Sequence, residues 1–210
     1  PAVRPDGREH YEYILTYVDD FLCISHAPMQ SMVLIKNKFK LKGDKIEPPK
    51  DYLGAILEPM QTDRGSTCWS QSSDKYVAAA VANVESYLRK KGKNLPGKKQ
   101  CHSPFDSNYR PELDVSPELA TEGHRYFQEL IGVLRWACEI SRLDILLEVA
   151  LLSAYLASPR EGHLEAALHV FGYLKHHPKR KIAFDPDHPH IRESRFLQHD
   201  WNDFYRDAAE

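Results

Sequence analysis

The sequence predicts an α+β fold, in which a small antiparallel sheet comes first and a mostly helical region follows. Two observations predict this order. Residues 11–17 and 21–25 are rich in aromatic and β-branched side chains and are separated by a very short break, which is typical of a hairpin. Beyond residue 76, apolar residues recur at helical spacing in successive stretches.

The first third of the chain supports further elements. The tyrosine- and leucine-containing segment 52–58 is predicted to be another strand, and a short strand is expected from Thr67 to Trp69. A helix is predicted over residues 28–39, whereas residues 1–10 have the composition of an irregular segment. The residues expected on the buried side of this helix are Met29, Met32, Val33 and Phe39.

The helical part contains four apolar stripes, which are Val77-Ala80-Val81-Val84-Leu88, Phe127-Leu130-Ile131-Leu134-Cys138, Leu143-Leu146-Leu147-Ala150-Leu151-Ala154, and Leu164-Ala167-Leu168-Phe171-Leu174. Helix starts are predicted at Ser116-Pro117, at Ser141 with Asp144, and at Ser158-Pro159 with Glu161. Residues 92–115 have the composition of a linker. After His177-Pro178 we expect only short strands and a frayed end.

Composition and charge restrict the functions that are open to the chain. The net charge of −2 includes a basic run over residues 89–99 that contains no acidic residue, so a polyanionic partner is compatible with the sequence. No apolar run is long enough to cross a bilayer, so no membrane partner is expected. The four cysteines lack paired spacing, which favours an intracellular protein with reduced thiols.

The candidate site is the acidic pair Asp19-Asp20 between the two β-rich runs. A hairpin turn normally contains glycine or asparagine, since its central residues need positive φ. Two adjacent carboxylates repel each other by on the order of a few kcal/mol, and a divalent cation bound between them removes that cost. Hard oxygen ligands at a rigid turn suit Mg²⁺. The alternative is an ordinary solvated Asp-Asp turn, which the motif Tyr17-Val18-Asp19-Asp20 alone does not exclude.

Several blocks in a fixed order resemble the reverse transcriptase of copia-type retrotransposons. They are Tyr17-Val18-Asp19-Asp20, Phe39-Lys40-Leu41-Lys42, Asp51-Tyr52-Leu53-Gly54-Ala55-Ile56, Trp69 to Val77, Tyr126 to Trp136, Arg142-Leu143-Asp144-Ile145 and His163 to Lys175. Leu143 stands where the family usually has proline. The resemblance extends from about Tyr11 to Lys175, and the order of its blocks is more specific than any one motif.

The resemblance implies a domain organisation. Residues 1–62 would form the C-terminal part of the palm, an antiparallel hairpin and strand. Residues 63–100 would form a thumb-like segment, and residues 101–178 a helical connecting region. Residues 179–210 would lead into an RNase H module that is absent from this sequence.

The resemblance also implies RNA-directed DNA synthesis by two-metal nucleotidyl transfer, with Mg²⁺, dNTPs and an RNA or DNA template–primer. Asp19 and Asp20 would be the catalytic metal ligands. The other Pol segments, namely fingers, integrase and RNase H, would be partners. The family carries a further catalytic aspartate well upstream, for which we find no counterpart before Tyr11. We therefore expect this chain by itself to hold metal weakly and not to polymerise.

The resemblance places nucleic acid against Tyr17, against Tyr52, Leu53 and Gly54 near the primer terminus, and against Lys90, Lys91 and Lys93 in the basic run. Each has a simpler interpretation. Gly54 could mark a bulge in an ordinary strand, and the lysines could be a solvated helix end. A degenerate remnant that only binds nucleic acid or protein is the alternative function.

Other residues are assigned structural roles. The histidines and cysteines, including His188 and His190, lack the paired spacing of a zinc site, so scattered surface histidines are expected. Arg135 and Trp136 are expected to pack rather than to stack on a nucleotide. Arg142 and Asp144 are expected to cap a helix or to pair within a helical junction.

Overall fold

The structure is a computed structural model that describes residues 2–3, 7–41, 45–106 and 108–185. Its strands are β1 (Ala2–Val3), β2 (Glu9–His10), β3 (Tyr13–Tyr17), β4 (Asp20–Ile24), β5 (Asp51–Tyr52), β6 (Ala55–Gln61), β7 (Thr67–Ser72) and β8 (Lys181–Phe184). All pair antiparallel, as the two-stranded sheets β1-β2 and β3-β4 and the four-stranded sheet β5-β6-β7-β8.

The helices are α1 (Pro28–Lys36), α2 (Asp74–Lys90), α3 (Thr121–Ile140), α4 (Leu146–Ser153) and α5 (Glu161–His176), with short 3₁₀ turns at Pro111–Leu113 and Leu143–Ile145. Antiparallel strands dominate the first third and helices the rest, so the predicted α+β class is confirmed. Among the described residues, no helix combines the length and hydropathy that a membrane crossing requires.

The main hydrophobic core lies between α2, α3, α4 and α5. Its fully buried centre includes Phe127 and Leu134 of α3, Leu152 of α4 and Phe171 of α5. The predicted stripes of α2, α3 and α5 face this core, because their apolar residues recur at the 3.6-residue period of a single helix face.

A buried polar junction connects this core to the four-stranded sheet. Arg142 is fully buried after α3, and its Nε and Nη2 atoms each donate to a carboxylate oxygen of Asp144 at 2.8 Å. The Tyr173 hydroxyl of α5 also donates to Asp144, at 3.1 Å. Nearby, Ser141 Oγ donates to Ser73 Oγ at 2.8 Å, at the start of α2. The expected pairing of Arg142 with Asp144 is confirmed.

One face of the four-stranded sheet has buried serines beneath a pair of long charged side chains. Ser70 and Ser72 of β7 are buried, although they are small. Lys181 of β8 and Glu58 of β6 form an ion pair at 2.6 Å. Since β7 lies between β6 and β8, this pair crosses above the two serines, and the long side chains of Lys181 and Glu58 shield them.

The segment predicted as one strand over 52–58 is two strands. Leu53 and Gly54 both have positive φ, at 54° and 83°, and form a two-residue turn between β5 and β6. Consecutive positive φ values are the signature of a type I′ hairpin turn. Gly54 therefore marks a turn rather than a bulge. The strand that was expected from Thr67 to Trp69 exists and continues to Ser72.

Two predicted helix faces are wrong. Helix α1 ends at Lys36, and Met29, Val33 and Phe39 are more than 40% exposed, because Ser31 is the residue that lies against the hairpin. In α4 the leucines of the predicted stripe face outward, whereas Val149 and Leu152 face the core. This segment is apolar all round, so its periodicity did not identify the inner face.

The predicted helix starts are also wrong. Helix α3 begins at Thr121, not at Ser116, because Ser116 instead binds the start of α5, accepting a hydrogen bond from the Gly162 amide at 2.9 Å. Helix α5 begins after Arg160, whose amide donates to His163 Nδ1 at 3.0 Å. Ser141 and Asp144 form no capping box, since both bind other side chains.

The start of the chain differs from the prediction, and part of its end lies outside the described residues. Residues 2–3 and 9–10 pair as β1 and β2, although residues 1–10 were expected to be irregular. The short strand expected after Pro178 is β8. The predicted frayed end, residues 186–210 of the predicted lead-in, and with them His188 and His190, lie outside the described residues.

Replacing Asp144 by asparagine is expected to lower the free energy of unfolding by about 3 kcal/mol at pH 7, because it leaves the buried Arg142 charge uncompensated. Burial opposes ionisation of Asp144, but the Arg142 guanidinium and the Tyr173 hydroxyl hold its pKa below the ordinary value. A depressed folded pKa gives stability that is present above about pH 4 and is lost as pH falls through the folded pKa. The difference between wild type and variant should therefore shrink between pH 7 and pH 3 in urea unfolding.

Asp51→Asn is the matched control for this experiment. It removes the Lys75–Asp51 pair, whose side chains are 72% and 61% exposed, so we expect a loss of about 1 kcal/mol or less. Equal losses in the two variants, or a difference that persists unchanged at pH 3, would contradict the role of the buried pair.

Candidate metal and nucleic-acid site

The acidic pair lies at the tip of the β3-β4 hairpin. The register pairs Tyr17 with Asp20, so the two turn residues are Val18 and Asp19, and Asp20 is the first residue of β4. The expectation that both aspartates occupy the turn is therefore wrong for Asp20. Both carboxylates are exposed. Asp19 thus lies in the turn and Asp20 in the strand, so the two carboxylates are carried by different backbone conformations.

The two hairpin turns of the candidate site contain unfavourable backbone conformations. Val18 has φ of 50° and Leu53 has φ of 54°; within the described ranges these are the non-glycine residues with positive φ. A left-handed conformation costs an L-residue roughly 1–2 kcal/mol, and for a β-branched residue such as valine it is a genuine outlier. Such residues concentrate at functional sites, where the surrounding structure maintains them.

One electrostatic effect links the two motifs. The pKa of Tyr52 is raised above its ordinary value, by burial and secondarily by the negative charge of Asp20. The two residues lie on separate sheets. The resemblance predicted that they belong to one site.

The hairpin has one covered face and one open face. Phe21 and Cys23 alternate onto the face toward α1, where the rings of Phe21 and Phe39 lie 6.4 Å apart. On the opposite face, Tyr13, Tyr17 and Ile24 are more than half exposed. Asp20 shares this open face, because residues two apart in a strand point the same way. The carboxylates therefore adjoin an open apolar surface.

The donor set fits a magnesium ion. Asp19 and Asp20 supply hard oxygen ligands, and Mg²⁺ commonly binds through one or two carboxylates while keeping several waters. Among the residues that the structure describes, no group of three or more His, Cys, Asp or Glu side chains could hold a metal ion.

The basic run lies apart from the hairpin. Lys75, at the start of α2, pairs with Asp51 of β5 at 3.4 Å, whereas Lys90 ends the helix. At 1.5 Å per residue these two lysines are roughly 22 Å apart along the axis. A nucleic-acid ligand that contacts both ends of α2 must therefore extend over roughly 22 Å.

The three lysines of the basic run are not equivalent. Lys91 Nζ lies 2.7 Å from Glu122 Oε1 and 4.6 Å from the centre of the Tyr87 ring. The hydrogen bond to Glu122 is the main reason that the pKa of Lys91 is raised. Lys90 and Lys93 are exposed. Of the three, Lys91 is thus already engaged within the chain, which the sequence run did not reveal.

The chain is similar to a Saccharomyces cerevisiae protein that is named for the transposon Ty5-1. The two are 31% identical over 169 residues, which are 77% of this chain and 48% of the relative. The chain therefore spans about half the length of this curated relative. No family model matches the chain, and no solved structure matches it. The similarity supports a retrotransposon-derived protein.

Replacing Val18 by asparagine, which tolerates positive φ, is expected to raise the free energy of unfolding by about 0.5–1 kcal/mol, because it relieves an unfavourable backbone conformation. Urea unfolding measures this change. The control is Val115→Asn, since Val115 is 92% exposed, comparable to Val18 at 82%, and has no positive φ. A Val18 variant that is no more stable than wild type would contradict the assignment of strain.

Proposed function

We propose that this chain carries the C-terminal palm, the thumb and the connecting part of a copia-type retrotransposon reverse transcriptase, an RNA-directed DNA polymerase. The observation that supports it best is a pair of turns, in Tyr17-Val18-Asp19-Asp20 and in Tyr52-Leu53-Gly54, that share an unusual backbone conformation. Both motifs form two-residue hairpin turns with a non-glycine residue at positive φ, and the charge of Asp20 acts on Tyr52. A turn selected only for stability would have glycine or asparagine at these positions.

In this proposal Asp19 and Asp20 hold Mg²⁺ for nucleotidyl transfer. When bound, the ion neutralises charge on the phosphates of a dNTP and on the primer 3′ oxygen. Without a cation, the exposed carboxylates repel the phosphates of an incoming strand. Nucleic acid should therefore approach the hairpin only when the metal is present, whereas binding at the basic run needs no cation.

Tyr52 has a defined chemical role in the same proposal. Its phenol is protonated at neutral pH, as in any tyrosine, and is therefore a hydrogen-bond donor. The raised pKa of Tyr52 extends this state to higher pH. It can donate to a sugar or phosphate oxygen of the primer terminus. The Leu53-Gly54 turn adjoins it, and Tyr17, 52% exposed, supplies a ring on the open face of the hairpin.

The basic run supplies the second contact with the template–primer. Lys90 and Lys93 would bind phosphates without reading sequence, and Lys91 would contribute less because Glu122 holds it. The other partners in this proposal are the remaining Pol segments, namely fingers, integrase and RNase H. The setting is intracellular.

A non-catalytic role in binding nucleic acid or protein is the alternative function. One observation favours it, which is that the described residues bring only two carboxylates together at the hairpin and form no larger ligand group. The two functions differ in their dependence on metal. A polymerase remnant requires a cation at Asp19 and Asp20, whereas a binding module does not.

The metal proposal predicts weak binding of Mn²⁺, a paramagnetic substitute for Mg²⁺, at the hairpin. Asp19→Asn and Asp20→Asn should each weaken binding by about tenfold, because each removes one of two anionic ligands. Electron paramagnetic resonance measures free Mn²⁺, and broadening of the Val18 amide signal locates the bound ion. Asp63→Asn, an exposed aspartate in the turn between β6 and β7, is the control. Equal loss in all three variants would refute a specific site.

The nucleic-acid proposal predicts salt-dependent binding of an RNA–DNA hybrid, measured by fluorescence anisotropy. Lys90→Gln and Lys93→Gln should each reduce the slope of log K against log salt by about 0.9, the value for one phosphate contact. Lys91→Gln should have a smaller effect, because Glu122 already neutralises Lys91. Lys179→Gln, an exposed lysine outside the run, is the control. Slopes that are the same in all four variants would exclude a phosphate-contacting role.

A further inference from the structure

An open groove of about 620 Å³ lies between α4 and the loop that precedes α3 in the sequence. One wall is formed by residues 103, 105–106 and 109–112, and the other by α4 with Ala154 and Tyr155, which follow it. The apolar side chains that line the groove are Phe105, Tyr109, Leu147, Leu151 and Tyr155. The proposed polymerase function uses none of these residues.

The groove exists because α4 is apolar on both sides. Val149 and Leu152 fill the core, which leaves the other leucines facing solvent. Leu147 and Leu151 lie one helical turn apart and line the groove, with exposed fractions of 67% and 41%. Leu146 of α4 and Leu143, in the 3₁₀ turn before it, are 50% and 57% exposed. A contiguous apolar surface of this kind on a polar background marks an interaction site more often than scattered single residues do.

The rim of the groove is acidic. Asp106, Glu112 and Glu148 line it, and Arg110 is the basic residue in the same lining. An adjoining recess of about 200 Å³ shares Phe105 and Tyr109 and adds Glu165. Within the part of the chain that the structure describes, Glu112, Glu148 and Glu165 form no ion pair. A cationic ligand would thus find uncompensated carboxylates beside the apolar surface.

Contacts with Asp114 and with α5 hold the loop that forms one wall of the groove. The Tyr109 hydroxyl donates to Asp114 at 2.9 Å, and the Phe105 ring meets the Tyr109 ring edge-on at 5.6 Å. His169 Nε2 lies 3.1 Å from the Ser103 carbonyl oxygen, and His163 Nε2 lies 3.1 Å from that of Pro111. Both contacts anchor the loop to α5. A groove whose walls are held in this way loses little conformational entropy when a ligand binds.

We propose that this groove binds an amphipathic segment of another protein, with leucine- or phenylalanine-sized side chains in the groove and lysine or arginine on the acidic rim. The apolar lining requires an apolar ligand face, and the carboxylates select positive charge around it. Nucleic acid and anionic membranes share the negative sign of the rim and are disfavoured. The proposal is independent of the polymerase assignment, because neither Asp19 nor the basic run takes part.

The test uses the whole chain and three fluorescein-labelled 14-residue peptides, measured by anisotropy. One has leucine and lysine at helical spacing, the second replaces lysine by glutamate, and the third replaces leucine by serine. The Leu-Lys peptide should bind, and the other two should bind at least about tenfold more weakly, since each lacks one half of the recognition chemistry.

Two pairs of variants locate the binding. Leu147→Ser and Glu148→Gln should each weaken binding of the Leu-Lys peptide by about tenfold. The matched controls are Leu34→Ser, in α1 and 68% exposed against 67% for Leu147, and Glu129→Gln, an exposed glutamate on α3; both should bind as wild type does. Circular dichroism and urea unfolding check that each variant folds, and Leu147 is exposed enough that its replacement should leave stability unchanged.

Three results would overturn the proposal. They are an absence of binding by the Leu-Lys peptide, binding that all three peptides share, and equal losses in the test and control variants. Sedimentation velocity of the peptide-free chain tests the other occupant of the groove, which is a second copy of this chain. A dimer that Leu147→Ser dissociates would assign the groove to a second copy of this chain instead of a basic partner segment.

Discussion

The ion pair of Arg142 and Asp144 is the interaction on which the rest of the structure depends. Arg142 is fully buried, and its charge is tolerated because Asp144 receives two of its hydrogen bonds. Asp144 in turn binds Tyr173 of α5. The junction follows the end of α3 and precedes α4, so its geometry fixes how three helices meet. Breaking a buried pair of this kind costs about 3–5 kcal/mol, so a helix arrangement that separates Arg142 from Asp144 is disfavoured by that amount.

Sequence periodicity predicted the buried face of a helix correctly where the helix has one apolar face. It failed where a helix has two apolar faces or no distinct apolar face. The stripes of α2, α3 and α5 were identified because their other faces are polar. The α4 segment is apolar all round, and only the structure shows that Leu147 faces solvent. The helix starts failed for a different reason, because Ser116 and Ser141 bind partners distant in sequence rather than the adjacent helix end.

The candidate site shows the same division between local and tertiary information. The resemblance predicted that Asp19-Asp20 and Tyr52-Leu53-Gly54 belong to one site. The positive φ of Leu53 could not be predicted, since leucine rarely adopts it. The action of Asp20 on Tyr52 crosses two sheets, and the engagement of Lys91 by Glu122 crosses two helices. Neither follows from spacing along the chain.

The return of the chain to the sheet through β8 has a consequence for the order of folding. Lys181 and Glu58 form their ion pair across 123 positions of sequence. Closing an open loop of that length costs about 4 kcal/mol of chain entropy, beyond a constant for any closure. Once α2 and α5 have packed together, however, most of this entropy has already been lost. Strand β8 should therefore pair with β7 last, after the packing of α2 against α5 has brought it close to the sheet.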